Sequence, residues 1–261
     1  MTDRAFVTDR DLARTFDGGA YDDAYEIVEQ YRKATRYASK HGVKSSATAS
    51  ALDLPRNRLR TWIDDDGAPD VVNGINTARR YGWLNVTYDD RKFTALNALV
   101  ANVFSGGSIA EQYYRPSFAL NHRGEDSHVI DALELADVDY QLVTDRPGRA
   151  DEARPTKDGT VLGRVLVTLG APIGPKAHQT LSLPEYLEDA PEDVRRLFVS
   201  CYLENRGHRH GSILKFREER SRAYLDELAA LIEDIAGGSV TVSEKNVTIS
   251  KAATENLGNV I

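Results

Sequence analysis

One stretch limits the folds open to this chain more than any other, because it occurs twice. Residues 96–109 read Leu-Asn-Ala-Leu-Val-Ala-Asn-Val-Phe-Ser-Gly-Gly-Ser-Ile, and residues 198–207 read Phe-Val-Ser-Cys-Tyr-Leu-Glu-Asn-Arg-Gly. Each is a run of small and apolar residues at helical spacing that closes on a glycine. Gly107 and Gly207 stand one hundred residues apart, the signature of an internal repeat.

The residues between the two copies fit one unit of helix, two strands, helix, two strands, helix. After Gly107, residues 108–114 and 116–122 read as strands around a turn at Arg115-Pro116. Residues 128–135 have helical spacing. Strands are expected over 138–144 and 149–156, across Pro147-Gly148, and a helix over 161–169. The second copy is thinner. A strand is expected over 212–218, with a shortened one before it, then an amphipathic helix over 221–235. A hairpin across Glu244-Lys245-Asn246 and a helix within 251–261 complete it.

The junction is the most specific segment. Leu169-Gly170-Ala171-Pro172-Ile173-Gly174-Pro175-Lys176 is followed by Leu183-Pro184-Glu185-Tyr186-Leu187. Gly170 ends a helix, Pro172 blocks its continuation and Gly174 lets the chain reverse. With the doubled helix, this connector resembles the LAGLIDADG homing-endonuclease family. The resemblance covers residues 93–261, with repeats at about 93–170 and 190–261, and implies a two-repeat αββαββα saddle for DNA. In that family an Asp or Glu precedes each closing glycine and holds the catalytic metal. Here those positions are Gly106 and Arg206. The resemblance therefore implies the DNA-binding shape without the cleavage, with no cofactor, and with Arg206 touching a phosphate directly. Glu111 and Glu204 are the nearby acids an active nuclease would have to use instead.

The first third reads as a separate all-α module. Residues 1–20 are polar and expected to be a flexible lead-in; residues 21–88 form the module. Tyr25, Val28, Tyr31, Ala34, Tyr37 and Ala38 mark a helix that Gly42 stops. Ser45 and Ser46 offer caps for a second helix, and Pro55 suits the first position of a third that runs through Ile63. This resembles a helix-turn-helix. Ala47, Ala49 and Ala51 would allow close approach, and Leu54, Leu59, Trp62 and Ile63 would be buried. Arg56, Asn57, Arg58, Arg60 and Thr61 would face DNA, where Arg and Asn read guanine and adenine edges. The overall expectation is an α+β protein that joins a helix-turn-helix to the repeated domain. Bacterial sporulation-type regulators have a similar pairing in the opposite order.

Composition bounds the partners. The net charge is −7, with 24 Asp and 24 Arg against 9 Lys. High Asp with low Lys fits a salt-rich cytoplasm, where counterion release contributes less to DNA affinity and base contacts and shape matter more. No apolar run is long enough for a membrane span, so a cytoplasmic location is expected. One cysteine, Cys201, excludes a disulfide framework. His122, His128, His208 and His210 are more simply read as hydrogen-bonding groups than as a zinc site. Walker, dinucleotide and Ser-His-Asp patterns are not evident.

Together these readings point to a sequence-specific binder of double-stranded DNA with a regulatory role; two internal repeats make a monomer sufficient. Beyond the first module, Tyr113, Arg115, Asn121, Arg123, Lys176, Arg206, Lys215 and Arg217 are the expected DNA-facing residues. A site-specific nuclease using Glu111 and Glu204, or a protein-interaction scaffold, are the alternatives.

Overall fold

The computed structural model describes residues 4–121, 124–144, 148 and 150–258. They form two compact units, Val7–Asn85 and Met1–Phe6 with Val86–Ile261. Arg123, His122, Pro147 and Arg149 lie outside the described residues.

The smaller unit is helical. Its first helix, α1 (Asp9–Ala13), falls where a flexible lead-in was expected and corrects that expectation. Thr8 and Asp11 form a reciprocal capping box, each side chain accepting from the other's amide. Leu12 and Ala13 are buried. Helix α2 (Tyr25–His41) ends at Gly42, whose φ of 62° carries no Cβ penalty. Then come α3 (Ser45–Leu52), α4 (Arg56–Leu59) with a wider turn at Arg60–Asp64, and α5 (Asp70–Arg80). The Asp9 carboxylate accepts from Arg32 at 2.6 Å and Arg79 at 2.7 Å, which joins α1, α2 and α5. Ala34, Leu59 and Trp62 form a core with Tyr31, Ala49, Leu52 and Leu54 around it.

Three local expectations change. Pro55 is the N-cap of α4 rather than its first helical residue. Ser45 does not cap α3; its hydroxyl and amide donate to Asp64 at 2.5 and 3.2 Å. Those two bonds, the hydroxyl's first, hold the Asp64 carboxyl below the usual carboxylate range. The inward stripe of α3 is Ser45, Thr48, Ala49 and Leu52, an i, i+3, i+4, i+7 pattern, so Ala47 and Ala51 face solvent.

The larger unit repeats one topology. Its first half is α6 (Arg91–Ser105), β1 (Ser108–Ile109), β2 (Pro116–Ala119), α7 (His128–Leu135), β3 (Tyr140–Val143), β4 (Glu152–Pro155) and α8 (Gly159–Thr168). Its second half is α9 (Glu192–Arg206), β5 (His208–His210), β6 (Ile213–Arg217), α10 (Arg222–Ala236), β7 (Val240–Val242), β8 (Asn246–Ile249) and α11 (Lys251–Leu257). The antiparallel sheets have matching orders, β1-β2-β4-β3 and β5-β6-β8-β7. The expected strand over 108–114 is only two residues long. Tyr113 and Tyr114 both take left-handed φ, 64° and 52°, which ends the pleat.

Helices α6 and α9 pack together at the centre. Twelve of the fifteen residues of α6 are buried, so it has no solvated face and must find partners all round. Its buried amides make specific hydrogen bonds inside the unit. Asn97 donates from Nδ2 to the Val194 carbonyl at 2.9 Å, and its Oδ1 accepts from the Tyr186 hydroxyl at 2.7 Å. This ties α6 to α9 and to the connector. Asn102 donates to the Ala119 carbonyl of β2 at 2.9 Å. Gly107 makes that possible, since a Cβ there would lie 2.5 Å from Asn102 Oδ1 and 2.8 Å from the Ser117 carbonyl. Phe6, Tyr88, Phe93 and Tyr186 cluster with ring centroids 5.0–6.0 Å apart over the start of α6.

Gly107→Ala should therefore destabilise the larger unit by about 2 kcal/mol, because backbone and a buried amide must both move. Urea denaturation of the purified variant measures it; an unchanged midpoint would show that the strand start can relax freely.

Candidate nucleic-acid interface

The two repeats meet at the C-terminal ends of α6 and α9. Ser105 and Asn205 occupy equivalent places, and Asn205 Nδ2 donates to Ser105 Oγ at 2.8 Å. Gly106 caps α6, and a Cβ on it would meet Ala119 Cβ at 3.0 Å. Arg206, the last residue of α9, donates from Nε to Glu218 Oε1 at 2.5 Å. Glu218 is 1% exposed, accepts from the Tyr202 hydroxyl at 3.1 Å, and has Arg220 Nε 3.9 Å from its other oxygen. The expected phosphate contact by Arg206 thus competes with an internal partner. Lys176 also turns inward. Its ammonium donates to the carbonyls of Val103, Phe104 and Gly107 at 2.5, 3.3 and 2.9 Å, closing the end of α6. Burial, reinforced by nearby Arg220, lowers its pKa to about 8. Its part is to fix the helix end, which differs from the DNA-facing role expected.

Each sheet has one face on the helices and one open face. On the second sheet, Leu214, Phe216, Val247 and Ile249 are buried. Lys215 and Arg217 alternate with them and are exposed. Lys215 pairs in register with His208 and Thr248, and Arg217 with Asn246. That face therefore carries two cations, two imidazoles and neutral polar groups, with no carboxylate on its strands. Just past β6, Glu219 accepts from Arg217 at 3.1 Å and Lys245 at 3.3 Å. The first sheet is more balanced. Arg154 and Glu152 pair at 2.8 Å around Ser117 on its open side, opposite buried Ala153. A groove of about 850 Å³ runs beside them, lined by Ser108, Arg115, Ser117, Gln141, Arg154 and Thr156 among others.

The doubled αββαββα order, with its two central helices paired and both sheets in matching strand order, settles the architecture. The larger unit has a LAGLIDADG-like fold. No family model matches the chain, and no curated protein does. Among solved structures, full-length DUF199/WhiA from Thermatoga maritima is similar over 67% of this chain and 58% of that one, with 10% identity and a TM-score of 0.43. The chain thus spans less than two thirds of that protein's length. The N-terminal LAGLIDADG domain of DUF199/WhiA matches over 67% of this chain and 87% of its own, also at 10% identity and 0.43. I-DmoI, in complex with DNA and Mn, matches over 66% and 97%, at 10% identity and 0.44.

A LAGLIDADG-like fold implies a divalent metal between the helix ends, and the residues present do not fit one. Gly106 has no ligand atom and Arg206 is a cation tied to Glu218. Among the described residues, no group of three or more His, Cys, Asp or Glu side chains could hold a metal ion. Glu204 accepts from His128 Nδ1 at 2.9 Å and from Asn121 at 3.3 Å, bridging α9 to the first repeat. Asn121 is thereby engaged internally. Glu111 is exposed, and its Oε2 lies 3.6 Å from where a Gly174 Cβ would be. Burial pushes the Cys201 thiol up, away from nucleophile chemistry.

The remaining expected residues divide in two. Arg56, Asn57, Arg60 and Thr61 are exposed. Arg58 is not directed outward: its guanidinium donates to Gln30 Oε1 at 3.0 Å and to the Tyr21 hydroxyl, and packs over the Tyr21 and Trp62 rings. Tyr113 and Arg115 are exposed, but on a turn instead of a strand. Arg154, Ser117 and Gln141 were missed. The alternation around buried Ala153 is the signal that could have found the first of them.

If Glu218 depends on Arg206, Arg206→Met should cost about 2–3 kcal/mol. This is the low side for a broken buried pair, since Arg220 remains and a third of Arg206 is exposed. In a Glu218→Gln background, which keeps a partner for Tyr202, the same change should cost much less. Equal losses in both backgrounds, read from thermal denaturation, would show that the pair is not coupled.

Proposed function

We propose that the chain is a sequence-specific binder of double-stranded DNA that holds its target without cutting it and serves a regulatory role on the chromosome. The observation that carries this reading is the open face of the second sheet. A chain of net charge −7 places Lys215 and Arg217 there with His208, His210, Asn246 and Thr248 and no strand carboxylate. Cations position phosphates, while amide, hydroxyl and imidazole groups read base edges. Cleavage is set aside because Gly106 and Arg206 stand where metal-binding acids would be needed.

In this reading α3 and α4 act as a helix-turn-helix. Arg56, Asn57, Arg60 and Thr61 are its exposed reading residues, and Arg58 holds the second helix in position through Tyr21 and Gln30. The Asp-rich, Lys-poor composition fits binding in concentrated salt, where phosphate contacts weaken and direct readout dominates.

The two surfaces make separable predictions. Lys215→Ala with Arg217→Ala should weaken binding to all sequences alike and reduce the slope of log affinity against log salt by about 2. Arg56→Ala with Asn57→Ala should instead reduce the preference for target over unrelated DNA, by roughly ten-fold or more. Electrophoretic mobility shifts across a potassium chloride series measure both. An unchanged salt slope for the first pair would remove the sheet from the interface.

A further inference from the structure

The turn between β1 and β2 departs from the rest of its sheet. Tyr113 is 62% exposed, the one large hydrophobic side chain so exposed among the described residues. It and Tyr114 are consecutive non-glycine residues with left-handed φ, 64° and 52°. L side chains disfavour that backbone, so something must hold it. Tyr114 supplies the anchor. Its ring lies under the Arg164 guanidinium, 4.0 Å from the centroid, and its carbonyl fills the space beside Gly163, where a Cβ would come within 1.8 Å. Fixing Tyr114 against α8 leaves Tyr113 pointing away from the body. Arg115 lies beside the Tyr113 ring at 5.7 Å and also lines the groove on the open side of the first sheet.

A ring left mostly exposed on a fixed, disfavoured backbone contributes little to the chain's own core, while its neighbouring cation lines the groove on the open side of the first sheet. We propose that Tyr113 is a stacking wedge, entering a base step of the bound duplex while Arg115 contacts the adjacent phosphate. This inference rests on the DNA-binding reading above. Flat aromatic faces stack on any base, and inserted side chains unstack and kink flexible pyrimidine–purine steps. The first sheet, with Arg154 and Glu152 neutralising each other, would then contribute deformation of the target more than electrostatic attraction.

The test is permanganate footprinting of the genomic fragments bound by the full chain, since permanganate oxidises thymines that have lost their stacking. Wild type and Tyr113→Phe should give one hyperreactive thymine position within each bound site. Tyr113→Gly should abolish it and weaken binding roughly five-fold to a hundred-fold, the range for losing one base–aromatic stack. Glycine suits the local φ, so this variant should melt at or above the wild-type temperature, which separates the effect from misfolding. Uniformly unreactive thymines in wild-type complexes, or hyperreactivity that persists in Tyr113→Gly, would overturn the wedge and leave the DNA-binding reading intact. Failure of the wild type to retain any DNA would overturn that reading first, and the wedge with it.

Discussion

The larger unit depends on α6 being buried on every side. A helix without a solvated face cannot stand alone in water, so the second repeat, the connector and the aromatic cluster over its start exist as its partners. Asn97 makes the arrangement specific. A buried amide needs hydrogen-bond partners, and only one placement of α9 and Tyr186 provides both the Val194 carbonyl and the Tyr186 hydroxyl. The two sheets then follow from the two helices. Each hangs from a helix end through a glycine, and each leaves one face open.

What the helix ends can do follows from that packing. The Ser105–Asn205 bond brings the two ends together, where paired acids could have shared a metal. The chain instead fills the region with cations and one buried carboxylate, Arg206, Arg220 and Lys176 around Glu218. Glu218, Tyr202 and the α6 carbonyls occupy these charges internally. The helix ends thus form a structural joint, and the proposed recognition surfaces are the open sheet faces and the exposed side of α4.

Much of the fold was legible because short-range rules sufficed. Gly42 and Gly237 end α2 and α10 in the left-handed conformation expected of helix-stopping glycines. Alternating valines and isoleucines gave the β7–β8 hairpin, and Gly170, Pro172 and Gly174 gave the connector. The site was less legible, because whether an arginine faces solvent depends on distant partners. Arg58 is claimed by Tyr21, 37 residues earlier, and Lys176 by carbonyls about 70 residues earlier. Residues 111–114 read as strand from their composition, but the docking of Tyr114 on Gly163 forces a turn. The polar lead-in hid α1, although Thr8 and Asp11 at capping-box spacing were a usable signal.

The most direct test of a DNA reader that does not cut is binding of the purified chain to fragmented genomic DNA in molar potassium chloride with magnesium, followed by sequencing of the retained fragments and their ends. A small set of enriched sites with intact strands is the expected result. Ends that cluster within those sites would contradict the loss of cleavage inferred from Gly106 and Arg206, and the absence of any enriched site would contradict DNA recognition itself.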